Sequence, residues 1–130
     1  MDKLVEAIRN KSRGEISEIL DDAPHLSSET DSEGFTAMML VVLNSEIPDA
    51  DAKRMLETIR NAGGDPAWPH PKTGNNTLHF AAETGRYKCV EFLVDYIFET
   101  NAKNNQGETP LALAKDEKVR EFLKMVGGTE

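Results

Sequence analysis

Residues 74–82 read GNNTLHFAA, and the same order of a glycine, a helix-capping residue and a short apolar run occurs twice more. The other copies are GFTAMMLVV at residues 34–42 and GETPLALAK at residues 107–115. The three leading glycines are 40 and 33 residues apart. A period near ~33 residues is typical of proteins that stack one helical unit on the next, so the sequence predicts a repeat protein.

The residue two positions after each glycine is suited to begin a helix. These residues are Thr36, Asn76 and Thr109, whose side-chain oxygens accept hydrogen bonds from free backbone N–H groups at helix starts. Pro110 follows at the first helical position, where its missing N–H costs nothing. Gly85 suits a left-handed helix end in the middle copy, and a second apolar stripe follows it. Each copy therefore predicts a pair of helices.

The pattern over the whole chain predicts an all-α fold of about four helix pairs. The first pair is an N-terminal cap, in which Ser12 and Glu15 have the spacing of a capping box and Pro24 ends the second helix. The second pair carries about seven extra residues, which we place between its helices at 45–51. The predicted pairs are residues 3–10 with 13–21, 36–44 with 51–62, 76–84 with 86–96, and 109–115 with 116–125.

The stretches TLHFAA at 77–82 and TPL at 109–111 resemble the Thr-Pro-Leu-His-x-Ala-Ala signature of ankyrin repeats. The resemblance runs from about residue 3 to 126. It implies an ankyrin-repeat solenoid, in which finger loops project and the first helices of the pairs line a concave face. We expect a single ankyrin repeat domain over residues 1–130, with an N-terminal cap at 1–30, repeats at 31–70 and 71–103, and a C-terminal capping repeat at 104–126.

The resemblance also implies where a partner would bind, because positions beside the finger glycines and on the open side of the first helices are not needed by the stack. The expected partner-binding residues are Ser32, Glu33, Phe35, Leu43 and Asn44 in the second unit; His70, Lys72, Thr73, Asn75, Glu83 and Thr84 in the third; and Lys103, Asn105, Gln106 and Glu108 in the fourth.

Two aromatic residues receive particular weight as contacts. Phe35 follows a finger glycine, at a position that the stack should leave in water. Trp68 lies in the proline-rich stretch DPAWPHP at 65–71, and tryptophan is a frequent interface anchor. Packing of Trp68 beneath its own loop is an equally weighted alternative.

No catalytic residue, cofactor or metal site is predicted. One cysteine and three scattered histidines do not form a zinc motif, and the acidic clusters lack the spacing of a calcium loop. By resemblance, His79 should hydrogen-bond the backbone of the neighbouring finger. Cys89 is interpreted as a half-buried spacer in a helix. We expect Asn101 to hydrogen-bond across its own hairpin. Modification of this asparagine is the less favoured hypothesis.

The charge is acidic, with 15 Lys and Arg against 23 Asp and Glu and a net charge of −8. Such a chain repels phosphate backbones, so a direct nucleic-acid partner is not expected. Residues 1–33 hold nine acidic and four basic side chains. This acidic end is read as a solvated face or, alternatively, as a surface that attracts a basic partner.

We therefore predict a non-enzymatic protein–protein interaction module, an adaptor, inhibitor or escort, acting as a monomer on an unidentified partner protein. The start of the chain does not resemble a signal peptide, no membrane segment is predicted, and a single cysteine fits a reducing compartment. The cytoplasm is expected, with the nucleus left open. The alternatives are a chaperone-like escort of a basic client and a small-ligand-binding or enzymatic protein, which would need His70, Lys72 and Glu83 to converge.

Overall fold

The computed structural model describes residues 1–130 and contains eight α-helices in four pairs. A short 3-10 turn, Pro24–Ser28, follows the second helix. The all-α architecture and the four predicted pairs are confirmed. The helices are α1 (Asp2–Arg9), α2 (Arg13–Asp22), α3 (Ala37–Leu43), α4 (Asp49–Asn61), α5 (Thr77–Glu83), α6 (Tyr87–Leu93), α7 (Pro110–Leu113) and α8 (Glu117–Met125).

The helices form two layers. The first helices of the pairs, α1, α3, α5 and α7, pack side by side, and the second helices, α2, α4, α6 and α8, form the other layer. Between the layers, 28 buried apolar residues form one continuous cluster, so no unit has a core of its own. This arrangement is the solenoid expected of a repeat protein, in which each unit is stabilised by its neighbours.

Local capping explains where the helices begin. The side chains of Thr36, Asn76 and Thr109 accept hydrogen bonds from the backbone N–H three residues later, at 3.2, 3.0 and 3.2 Å. Ser12 accepts one from Glu15 in the same way. The predicted capping box is only half formed, because the backbone N–H of Ser12 already donates to the carbonyl of Ala7.

The extra residues of the second unit lie mainly in a helix. The expectation that residues 45–51 all lie between helices is wrong, because α4 begins at Asp49 and has 13 residues where α6 has 7. The loop before α4 is held by the buried side chain of Ile47 and by the guanidinium of Arg86. Arg86 donates to the carbonyls of Val42 and Ile47, at 3.1 and 2.6 Å, and to that of Asn44. It thereby satisfies the carbonyl of Val42 at the end of α3 and ties the loop that follows to the third unit.

The fourth unit is closed by the tail that follows α8. The expectation that Asn101 bonds across its own hairpin is wrong: its amide donates to the carbonyl of Gly127, and its oxygen accepts from the N–H of Thr129. Gly85 has a φ of 73°, which confirms the left-handed end predicted for α5. None of the helices combines the length and apolar character that crossing a bilayer requires.

Candidate protein-interaction surface

Three loops, here called fingers 1, 2 and 3, precede the helices α3, α5 and α7 at residues 29–36, 65–76 and 101–109. Two of their tips are closed by a single side chain. The Asp31 carboxylate in finger 1 accepts hydrogen bonds from the backbone of Glu33 and Phe35, both at 2.9 Å. In finger 3, the side-chain oxygen of Asn104 accepts from the backbone of Gln106 and Glu108. These turns are therefore ordered before any partner arrives.

His70 ties finger 2 to finger 1. Its Nδ1 accepts from the backbone N–H of Lys72 at 3.2 Å, so its Nε2 carries the proton that it donates to the carbonyl of Glu33 at 3.0 Å. Gly34 of finger 1 lies against Pro71, the residue that follows His70 in finger 2. A Cβ atom added at Gly34 would lie 2.5 Å from the proline ring. The expectation that His70 is exposed for a partner is wrong: 5% of it is exposed, because it bridges two fingers.

Asparagines tie finger 3 to finger 2. Asn105 donates its backbone N–H to the carbonyl of Thr73 at 2.9 Å and its side-chain amide to the carbonyl of Lys72. Asn104 donates to the side-chain oxygen of Asn75 at 2.8 Å. Asn75 was also expected to be exposed, and this is wrong because the Asn104 contact buries it. Many polar groups of fingers 1, 2 and 3, together called the finger row, thus hydrogen-bond to one another.

His79 has the structural role that the resemblance implies. Its Nδ1 accepts from the backbone N–H of Asn76 at 3.1 Å, and its Nε2 donates to the carbonyl of Glu108 in finger 3 at 3.0 Å. The ring is fully buried, and this burial lowers the pKa of His79 below its ordinary value of 6.5. The neutral ring thus serves as the second half of a capping box with Asn76.

Phe35 and Trp68, the two aromatic residues expected to contact a partner, differ in exposure. Phe35 is half-buried, with its ring centroid 4.4 Å from that of His70 and 6.1 Å from that of Phe80, so its position is not simply left in water. Trp68 is 51% exposed and has no aromatic neighbour. Half of the indole is therefore free for another molecule to cover.

A groove at the N-terminal end of the layer formed by the first helices, here called the N-terminal groove, brings predicted contact residues together. It lies between α1, finger 1 and α3 and has a volume of about 290 Å³. Glu33, Phe35, Leu43 and Asn44 all line it, and Ser32 lines a wider depression that adjoins it. The remaining lining residues of the groove are Val5, Ile8, Arg9, Asp31 and Leu40.

Helix α1 supplies a wall of the groove that the sequence analysis did not find. Asp2, Val5, Glu6 and Arg9 have the spacing of one helix face, and all four line the groove or the adjoining depression. The spacing of these four residues in the sequence is the signal that predicts such a face. Four acidic residues, Asp2, Glu6, Asp31 and Glu33, line the depression together with Arg9 and Met1.

The other predicted residues lie outside the groove. Glu83 and Thr84 are at the end of α5, and Lys72, Asn105 and Lys103 are exposed in fingers 2 and 3. The remaining two predicted residues in the fingers are Thr73 and Gln106, also exposed. The carboxylate of Glu108 accepts from Asn104 at 3.1 Å, while its carbonyl accepts from His79.

The side chains offer little chemistry beyond contact. No three His, Cys, Asp or Glu residues are grouped so as to hold a metal ion. His70, Lys72 and Glu83 form no hydrogen bond or ion pair between their side chains. Cys89 is fully buried rather than half-buried, its thiol donates to Asp49 at 3.3 Å, and burial raises the pKa of the thiol. A thiolate nucleophile is therefore disfavoured at this position.

Comparison with known proteins gives two findings. The family model for "Ankyrin repeats (3 copies)" matches residues 4–104 and 51–127. The ARF GTPase-activating protein Git of Drosophila melanogaster is 30% identical to this chain over 95 residues. That similarity covers 71% of this chain and 13% of Git, so it concerns a small part of the longer protein.

Proposed function

Because the chain belongs to the ankyrin-repeat family, whose repeats are general protein–protein interaction modules, we propose that it is an adaptor, inhibitor or escort without a reaction of its own. It binds one partner protein along the concave face and the finger row. The observation that carries this proposal is the N-terminal groove, in which Glu33, Phe35, Leu43 and Asn44 lie together.

The order of the surface supports binding rather than catalysis. The fingers are joined by hydrogen bonds through His70, Asn105 and His79, so little loop ordering remains to be done when a partner binds. Two of the three histidines, His70 and His79, are buried in these contacts, and the third, His25, lies on the surface beside Glu29. The alternative of an enzyme or ligand sensor lacks the convergence of His70 with Lys72 and Glu83 that it requires.

The remaining features of the proposal concern where and on what the protein acts. The net charge of −8 favours a protein partner over nucleic acid, whose phosphates would be repelled. The protein acts as a monomer in the cytoplasm or nucleus. Escort of a basic client is the second candidate function, and the carboxylates of Asp2, Glu6 and Glu33 around one open face favour it.

The test is affinity capture from native lysate at two salt concentrations, followed by binding measurements on the captured partner in purified form. We expect Leu43→Ser and Trp68→Ala each to weaken binding by about 1–3 kcal/mol, as truncated interface anchors do. Glu57→Lys is the control, because Glu57 is exposed on α4 in the opposite layer. Equal affinity for all these variants would contradict the proposed surface, and turnover of a metabolite by the pure protein would contradict a non-enzymatic role.

A further inference from the structure

The outer face of α1 is not explained by the fold. Leu4, Ala7 and Ile8 are buried in the core, whereas Asp2 and Glu6 are exposed on the other side of the helix. The close contacts between basic and acidic side chains are His25 with Glu29 and Arg120 with Glu130, so the carboxylates of Asp2 and Glu6 touch no basic side chain. Asp2 lies in the first turn, where the helix dipole favours a negative charge, but it and Glu6 are one helical turn apart and repel each other.

Finger 1 continues this acidic face across the groove. The carboxylate of Asp31 closes the finger turn, but that of Glu33 makes no hydrogen bond, because only its backbone groups are used. With Asp2 and Glu6, four carboxylates and the single guanidinium of Arg9 lie along one concave surface. A concave surface focuses the field of like charges and raises the local concentration of cationic groups.

The floor between these charges is apolar. Val5, Phe35 and Leu40 are half-buried, and Leu43 is 37% exposed. The volume of about 290 Å³ is too small for a whole helix, which is ~10–12 Å across with its side chains. It suits a single bulky apolar side chain, whose burial against this floor would be favourable.

We propose that the N-terminal groove binds a basic linear segment of the partner protein. One bulky apolar side chain of the segment lies on the floor formed by Val5, Leu40 and Leu43, and flanking Lys or Arg side chains pair with Glu6 and Glu33. This inference rests on the proposed function and adds the chemical class of the partner. Charge complementarity selects the segment, and the apolar residue fixes its register.

The experiment uses the full chain and an unbiased library of random linear peptides displayed on phage. Peptides that bind the protein are counter-selected against the variant that combines Glu6→Lys with Glu33→Lys. The enriched peptides should carry an aromatic or large aliphatic residue flanked by Lys or Arg. One of them is then synthesised and its Kd measured by fluorescence anisotropy.

Matched variants separate specific binding from general attraction to an acidic protein. We expect the Glu6→Lys and Glu33→Lys combination, and separately Leu43→Ser, to weaken the Kd at least about tenfold, which is ~1.4 kcal/mol. Glu57→Lys together with Glu91→Lys makes the same change of net charge on the opposite layer, and should change the Kd less than about twofold. Raising the salt from ~50 to ~500 mM should weaken binding to the native protein, because screening shortens the reach of the carboxylates.

Three results of the peptide experiment would overturn this inference. An acidic or uncharged consensus, an equal loss of affinity in the opposite-layer variant, or no enrichment at all would each show that the groove does not take a basic segment. The proposed function would survive them if the native partner still depended on Leu43 or Trp68. Concentration-dependent dimerisation abolished by Glu33→Lys would assign the groove to a second copy, whose α8 end exposes Met125 beside Lys124, and would also overturn the inference.

Discussion

The finger row and the N-terminal groove differ in how their polar groups are used. In the row, His70, Asn104 and Asn105 each hydrogen-bond a neighbouring finger, so these groups are already occupied when a partner arrives. The carboxylates of Glu33 in the groove and of Glu6 in the adjoining depression form no ion pair within the protein. Both regions line the surface that a partner would meet, but the row provides rigidity and the groove provides unsatisfied groups.

This difference shows why exposure and position alone do not define a binding residue. A buried hydrogen bond is worth little in net stability, but breaking it leaves a partner unsatisfied, so a mutation in the row acts first on folding. A carboxylate without a partner forms no stabilising contact in the fold, so its removal should not lower the stability. Variants in the two regions should therefore separate into those that change stability and those that change affinity.

The largest effect on the free energy of unfolding is expected in the core, which lies beneath both surfaces. Leu78 is fully buried in α5, between the two layers. Leu78→Ala should lower the free energy of unfolding by about 2–5 kcal/mol, because it leaves a cavity. Urea denaturation measures the change, and Leu43→Ala, on the open side of α3, should cost far less. Similar losses in both variants would mean that Leu43 belongs to the core rather than to the groove.

His70→Ala should show that the finger row is structural. Its ring joins two fingers and stacks on Phe35, so truncation should lower the free energy of unfolding by about 1–3 kcal/mol. The neighbouring Lys72→Ala should stay within about 0.5 kcal/mol, because that side chain is exposed. If His70→Ala lowered the affinity for a partner and left the stability unchanged, His70 would instead be a contact residue.

His79, which joins α5 to finger 3, should make the stability depend on pH. Burial lowers the pKa of His79, so below about pH 6.5 the unfolded chain takes up a proton that the folded chain resists. Stability contributed by this residue is complete above that pH and falls as the pH drops towards the folded pKa. Urea midpoints on both sides of pH 6.5 measure the slope, which His79→Gln should reduce. An unchanged slope in this variant would assign the pH dependence to other groups.

Local rules were enough to predict much of the fold. Thr36, Asn76 and Thr109 cap helices through bonds to residues only three positions away, so the sequence shows both partners at once. His70 could not be assigned this way, because its partner Glu33 lies 37 residues away. Arg86 was missed for the same reason, since its carbonyl partners lie in the preceding unit.

The candidate site was predicted in part. The resemblance placed Glu33, Phe35, Leu43 and Asn44 on the open side of one unit, and the structure brings them into one groove. It did not include α1, because the outer face of that helix has no counterpart in the three quoted copies of the motif. Which side of α1 meets finger 1 depends on how α1 packs on α3, and no local pattern encodes this.

A smaller effect, of opposite sign, is expected from Thr77. Its hydroxyl is buried and has no hydrogen-bond partner, which is costly in a core. Thr77→Val should therefore raise the free energy of unfolding by up to about 1 kcal/mol. Thr109→Val is the matched control and should lower it by about 1 kcal/mol, because that hydroxyl caps α7. A loss of stability in both variants would show that the Thr77 hydroxyl is satisfied in solution.

The smallest change in stability is expected where the change in binding is large. Glu6→Lys combined with Glu33→Lys removes repulsion among the groove carboxylates and breaks no hydrogen bond of the side chains. The free energy of unfolding should stay constant or rise by at most about 0.5 kcal/mol, and high salt should abolish any rise. A clear loss of stability would mean that these carboxylates support the fold. A gain that salt removes would show that the acidic groove is kept at some cost to the fold, as expected of a surface retained for another molecule.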